Sequence, residues 1–402
     1  MSTTTQADLL AAARELLPDI IAVRRTLHRI PEVGLQIPQT QAVVADAVRA
    51  LGLEPRLGTT TTSVVAVIKG GKPGPTVLLR ADMDALPLTE DTGLDFASET
   101  PGRMHACGHD THVAMLLGAA RLLLAHQAEL TGNVVLMFQP GEEGWHGARF
   151  MLEEGLLDVT GRKPAGAFAL HISTEYPTGE LHYRPGPLLA AGDRFEITLT
   201  GRGGHASAPH NALDPITVAA ELVIALNLMV TRRVDAFDPA VLTVARITAG
   251  TTSNIIPETA VLEGTMRTVS AAQRAGMRAR LDQVVAGICA AHGVKGSVLL
   301  DPGFPVTVCD PGFVALAREE AVAVAGEDAV VEMKAPIMGA EDFSYVLEQV
   351  PGAMFFIGAR PAEEDPETAP PNHSNRVIFD EAPMAIGAAT YAAVAIRVLA
   401  GS

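Results

Sequence analysis

The sequence predicts an α/β protein, a mixed and mostly parallel sheet between helices, interrupted by a smaller α+β domain. Continuously apolar runs at Ser63–Ile68, Thr76–Ala81, Asn133–Gln139 and Ala165–Ile172 alternate with helical patterns, as strands buried on both faces do. From Asp193 the pattern changes to strict polar/apolar alternation, which belongs to half-exposed antiparallel strands. The chain has 402 residues, beyond the roughly 250–300 at which a single core stops growing, so two domains are expected.

Taken in order, Leu9, Leu10, Ala13, Leu16, Leu17, Ile20, Ile21 and Leu27 recur at helical spacing and predict a helix over Asp8–Arg29, ended by Pro31. A second helix over Pro38–Leu51 closes on Gly52. The first two strands flank the turn cluster Lys69-Gly70-Gly71-Lys72-Pro73-Gly74-Pro75. A long helix runs to about His126, with Asp110 as its expected cap, before the strands at Asn133 and Ala165. Residues 182–297 are expected to form the inserted domain. Its strands near Asp193–Thr200, Val241–Ile247, Ala260–Thr268 and Gly296–Leu300, with helices over Pro215–Val230 and Ala271–His292, give a βαββαβ order. Both helices then fall on one face of a small sheet. Residues 1–181 and 298–402 make the larger domain, which resumes with a helix at Phe313–Ala325, a strand at Ala353–Gly358 and a final helix over Ala382–Leu399.

A net charge of −16 and the lack of any lysine or arginine run argue against nucleic-acid and anionic-membrane partners. Cys107, Cys289 and Cys309 are too few and too scattered for a disulfide framework, which fits a reducing compartment. Met1–Asp8 lacks the basic and apolar regions of a secretory signal, and no run reaches the ~18 uninterrupted apolar residues of a membrane span. The expected location is the cytoplasm.

Chemistry concentrates in Met104-His105-Ala106-Cys107-Gly108-His109-Asp110-Thr111-His112, which holds three of twelve histidines and one of three cysteines. Cys107 and His109 are metal-capable, and Asp110 can hold an imidazole from behind. In parallel sheets chemistry gathers at the carboxyl ends of strands, where Asp82, Asp84, Glu142, Glu143 and His171 fall. Glu142 and Glu143 sit between Gly141 and Gly144; extended backbone would send their side chains to opposite sides, one to a metal and one to a substrate. Cys107, His109, Glu143, His171 and His373 exceed the needs of one zinc ion and suit two adjacent metals sharing a water, whose pKa falls toward ~7. Glu142 then takes the water's proton and passes it to a leaving nitrogen, which is amide hydrolysis. A thiol hydrolase, with Cys107 as nucleophile and His105 or His109 as base, is the other reading. His205, in the turn Gly201–Ser207, and Asn254 and Arg267, within strand patterns, carry little information alone.

The ordered set His105–Asp110, Gly141–Gly144, Leu170-His171, Gly203–Ser207, Ser253–Pro257 and Gly339–Phe343 resembles the aminoacylase/carboxypeptidase family of dinuclear metallo-amidohydrolases, in the branch of hippurate and indole-acetyl-amino-acid hydrolases. The resemblance runs from the first helices to the last. It implies a metallopeptidase-like domain interrupted by a ferredoxin-like lid that mediates homodimerisation, and two divalent ions drawn from manganese, zinc, cobalt or nickel. By it Cys107, His109, Glu143, His171 and His373 match ligand positions and Glu142 the general base. Asp82 is not counted among the ligands. His205 looks like the lid histidine that stabilises the oxyanion, often across the dimer, and Asn254 and Arg267 like contacts to the substrate's carboxylate. The implied reaction is hydrolysis of N-acyl-L-amino acids to a carboxylic acid and an amino acid, with small-peptide cleavage by a carboxypeptidase or dipeptidase as the alternative.

Overall fold

The structure is a computed structural model that describes residues 6–401. The first five residues of the Met1–Asp8 stretch lie outside the described residues. In chain order the elements are α1 (Gln6–Arg29), α2 (Pro38–Ala50), β1 (Arg56–Leu57), β2 (Val64–Lys69), β3 (Lys72–Asp82), α3 (His109–Ala125), β4 (Thr131–Gln139), α4 (Gly147–Glu153), β5 (Gly166–Pro177), β6 (Leu181–Tyr183) and β7 (Gly186–Leu189). There follow β8 (Ala191–Thr200), β9 (Gly204–His205), α5 (Pro215–Arg233), β10 (Ala240–Ala249), β11 (Ile255–Ile256), β12 (Thr259–Thr268), α6 (Ala271–His292), β13 (Lys295–Asp301) and β14 (Thr307–Cys309). The chain closes with α7 (Pro311–Ala325), β15 (Val330–Glu332), α8 (Ser344–Leu347), β16 (Gly352–Arg360) and α9 (Met384–Ala400).

Two compact units result. The first extends to Leu188 and takes in Val308–Ala335 and the residues from Tyr345 onward; the second comprises Leu189–Thr307 and Pro336–Ser344. The change of pattern expected near His182 comes later. His182 lies on β6, which pairs with β16 and β15 in the first unit's sheet.

That sheet has eight strands in the order β1-β2-β4-β3-β5-β16-β6-β15. Its centre, β4-β3-β5-β16, is parallel throughout, while β2 and β6 join antiparallel. Val77, Leu78 and Leu79 of β3 and Val134, Leu136 and Phe138 of β4 have no exposed surface, as strands covered on both faces require. Helices α1, α3 and α9 pack on one another, and α3 and α9 also meet β3. Nearly every residue of α3 from His109 to Leu123 is buried, so this helix is core on all sides rather than amphipathic. Its contact with α9 depends on small residues: a Cβ at Gly387 would stand 2.2 Å from Met115 Sδ.

In the second unit β10-β12-β8-β13 form an antiparallel sheet. The alternate residues Phe195, Ile197 and Leu199 of β8 share one core with Leu222 and Leu226 of α5 and Met277, Leu281 and Val285 of α6. Both helices therefore lie on one face. By length and composition α5 could cross a membrane, but its Val218, Leu222, Leu226 and Met229 are spent on this core. A separate two-stranded ribbon, β9–β11, pairs Ile255 with His205.

Candidate metal centre

Register sets the level of the site. Asp82 pairs with Gln139 at the carboxyl ends of β3 and β4, and Arg80 pairs with Ala169, so His171 stands level with Asp82 on the next strand. His171 is inside β5, which runs on to Pro177, not just past its end. Cys107 arrives from the loop before α3. Gly108 turns the chain there with φ +86°, and a Cβ at that position would meet Ile172 Cγ2 at 2.3 Å. Only glycine fits both the left-handed backbone and the space. His373 is one of two non-glycine residues with positive φ among the described residues, at +69°, a strained conformation of the sort that persists at functional sites. Its N–H donates to Ala106 O at 2.8 Å, and Asn372 Nδ2 donates to Cys107 O and Ile172 O, which ties the late loop to the early one.

The imidazole tautomers follow from their partners. His109 Nδ1 lies 2.8 Å from Asp84 O and His171 Nδ1 lies 2.8 Å from Ile172 O; a carbonyl only accepts, so each Nδ1 carries the proton. In the neutral rings that a metal requires, each Nε2 keeps its lone pair. His171 Nε2 is 3.5 Å and His373 Nε2 3.3 Å from Cys107 Sγ, and His373 Nε2 is 3.2 Å from Glu143 Oε1. The donor atoms form two triads, Cys107–His109–His171 and Cys107–Glu143–His373, each within 4.8 Å, with Cys107 common to both.

Glu142 joins a third group, with His109 and Glu143. The expectation that the two glutamates project to opposite sides fails, because Gly141–Gly144 is a turn and not extended strand. Their backbone N–H groups both donate to Asp84, at 2.9 Å to Oδ1 and 3.1 Å to Oδ2. Asp84 thus orients His109 through its carbonyl and the glutamate turn through its carboxylate.

The electrostatics fit a cation. His109 Nε2 is buried with no hydrogen-bond partner. Burial, joined by the Glu143 carboxylate, pushes the Cys107 thiol up. Bonds to Cys107 and Glu143 push His373 up to about 10. Burial opposes charge on His109, but Asp82 and Cys107 outweigh it and hold the ring well above its ordinary value. Soft sulfur, imidazole nitrogens and a carboxylate converging here are a suitable donor set for divalent metal.

Other polar side chains brace the centre. Asp82 meets His112 Nδ1 at 2.5 Å and pairs with the Arg80 guanidinium, Nη1 at 2.8 Å. His112 Nε2 accepts the Ile172 N–H at 2.8 Å and so fixes the strand that carries His171. Asp110 is not a cap: the N-cap is Gly108, and Asp110 turns inward to Arg24 at 2.9 Å and His28 at 2.8 Å. His105 is fully buried, and burial pushes it down to about 3, a neutral ring beside His28. Arg24, His28 and Arg80 were missed in the sequence because charged residues in apolar stretches carry no periodic signal. Asp84 had one, its place just past β3, but no assigned partner.

The remaining candidates lie in the second unit. His205 lies on β9 and Asn254 is the turn residue just before β11, where Ala206 N–H donates to Asn254 O at 3.1 Å. Arg267 sits on β12 beside Gly192, whose lack of a side chain makes room for the guanidinium: a Cβ there would stand 2.5 Å from Arg267 Nη1.

Residues 78–397 match the model of peptidase family M20/M25/M40. The chain belongs to that family. Thermostable carboxypeptidase 1 of Saccharolobus solfataricus is 39% identical over 388 residues, covering 96% of each chain. An N-acetyl-L-cysteine deacetylase of Bacillus subtilis is 39% identical over 365 residues, 88% of this chain and 86% of that one. Among solved structures, the YxeP protein of Bacillus subtilis, a dinuclear metal-binding peptidase of the M20 family, superposes with a TM-score of 0.84 at 33% identity over 96% of this chain and 99% of that one. The chain is an M20 metallo-amidohydrolase, with the catalytic and lid architecture of the family. The reading of Cys107 as a catalytic nucleophile is set aside: the chain is an M20 metallo-amidohydrolase, and Cys107 stands in both donor triads.

Proposed function

We propose that this M20 enzyme hydrolyses the amide bond of N-acyl-L-amino acids, releasing a carboxylic acid and a free amino acid. The observation that carries the reading is the pair of donor triads meeting at Cys107 with Glu142 beside them. Cys107, His109, Glu143, His171 and His373 would hold two divalent ions, which supply Lewis acidity and a more acidic water. Glu142 takes a proton from the attacking water and returns it to the leaving nitrogen. The Asp84 carboxylate holds the Glu142 backbone still while this happens. His205 donates to the oxygen that gains charge, and Asn254 and Arg267 to the substrate's carboxylate, roles that rest on the resemblance of their motifs.

Metal-stripped enzyme should be inactive and regain turnover with manganese, zinc, cobalt or nickel; full activity in chelator would refute the reading. Acetyl-, benzoyl- and indole-acetyl-amino acids assayed beside dipeptides then fix the substrate. A preference for dipeptides would favour carboxypeptidase or dipeptidase action, in keeping with the carboxypeptidase relative.

We also propose a homodimer formed through the lid. Strand β10 is an edge strand, and Val241 and Ile247 on it, with Ile224 and Leu228 on α5, are exposed. Unpaired edges and apolar surface of this kind favour pairing with a second copy. Light scattering should report a dimer, and Ile224→Lys with Val241→Lys should yield monomer. All three cysteines are free and buried, which supports the cytoplasmic assignment; fractionation of the native host tests it.

A further inference from the structure

We infer that Ser207 and Thr252 are positioning residues that preset His205 and Asn254 as N–H donors, so the β9–β11 ribbon presents two donors to oxygen atoms of the substrate. The inference rests on the substrate-side roles proposed above for His205 and Asn254. Ser207 N lies 3.1 Å and Ser207 Oγ 2.7 Å from His205 Nδ1. A peptide N–H can only donate, so Nδ1 must hold the lone pair and the ring proton sits on Nε2. His205 is exposed, and its Nε2 makes no hydrogen bond among the described residues. On the facing strand end, Thr252 Oγ1 donates to Asn254 Oδ1 at 3.1 Å. That bond occupies the acceptor side of the amide and leaves Nδ2, with its two hydrogens, outward.

Two side chains are thus fixed in the same sense, each with its acceptor engaged locally and its donor free. Such a ribbon recognises carboxylate, carbonyl or oxyanion oxygen and offers nothing to an ammonium group. Because the donors are set before substrate arrives, they need no reorganisation when charge develops.

Enzyme labelled with ¹⁵N should show a coupling through the hydrogen bond between the Ser207 amide nitrogen and His205 Nδ1, with the proton on Nε2. His205→Ala supplies the assignment. In kinetics with metal-loaded enzyme, Ser207→Ala should lower kcat about fivefold with KM unchanged, because the His205 contact strengthens in the transition state. Thr252→Val should raise KM about fivefold with kcat retained, because a carboxylate contact is made equally in the ground state. Ser207→Thr and Thr252→Ser should restore both parameters. A proton on Nδ1, or wild-type kinetics in Ser207→Ala and Thr252→Val while His205→Ala and Asn254→Ala are impaired, overturns the positioning roles and leaves the proposed function standing. Wild-type kinetics in His205→Ala and Asn254→Ala refutes the substrate-side reading itself.

Discussion

The Asp84 Oδ1 atom accepts the Glu142 backbone N–H at 2.9 Å, and the other oxygen of the same carboxylate accepts the N–H of Glu143. The turn that carries the proposed base is therefore hung from a residue of the β3 end, 58 positions earlier. Asp84→Asn keeps the shape but replaces one acceptor with a donor facing an N–H. Metal affinity should fall about 10- to 100-fold and turnover with it, as read by calorimetric metal titration and steady-state assay.

Glu142→Gln removes the proton carrier while leaving the five proposed ligands untouched. Turnover should fall about 10²- to 10⁴-fold with metal content unchanged by elemental analysis. Normal turnover in that variant would contradict the mechanism.

Cys107 belongs to both triads and His171 to one. Metal analysis should therefore separate them: His171→Ala retains close to one ion per chain, whereas Cys107→Ala weakens both sites. Equal loss in the two variants would show that the triads are not separate sites.

In the lid unit Asp193 accepts from Arg274 Nε at 2.9 Å, Arg274 Nη2 at 2.7 Å and Arg278 Nη2 at 2.5 Å. Burial opposes its charge, but the two guanidinium groups outweigh it and hold the carboxyl below its ordinary value. Asp193→Asn should cost about 2–4 kcal/mol at pH 7, read by denaturant unfolding. For a depressed carboxyl the stabilisation is fully present above the unfolded value of about 3.9 and is lost as pH falls through the lower folded value. The gap between wild type and variant should accordingly close below about pH 4; a gap that widens in acid would contradict the ion-pair origin.

The parallel centre of the large sheet was legible because β3, β4, β5 and β16 are continuous apolar runs, and the lid sheet because β8 alternates. Strands β6 and β15, three residues each, are too short to show a period, which is why the unit boundary was read too early. The candidate ligands were legible as residue types no core requires. Their bracing was not: Asp110 looks like a cap in one dimension, and its actual partners, Arg24 and His28, stand more than 80 residues away. The orientation of Glu142 and Glu143 depended on a turn whose backbone only the fold defines.

Parallel pairing of β5 with β16 and the approach of His373 to Cys107 join segments on either side of the entire lid unit. The order of synthesis follows from this. While the ribosome is still making the last elements, the lid has its full sequence and its own core, but β5 has no partner on that side and the second triad has no histidine. The second triad is consequently completed late in biogenesis, after the lid has been made. A product truncated before Gly352 would lack both β16 and His373, and its unfinished centre and exposed β5 edge would make it a substrate for quality control.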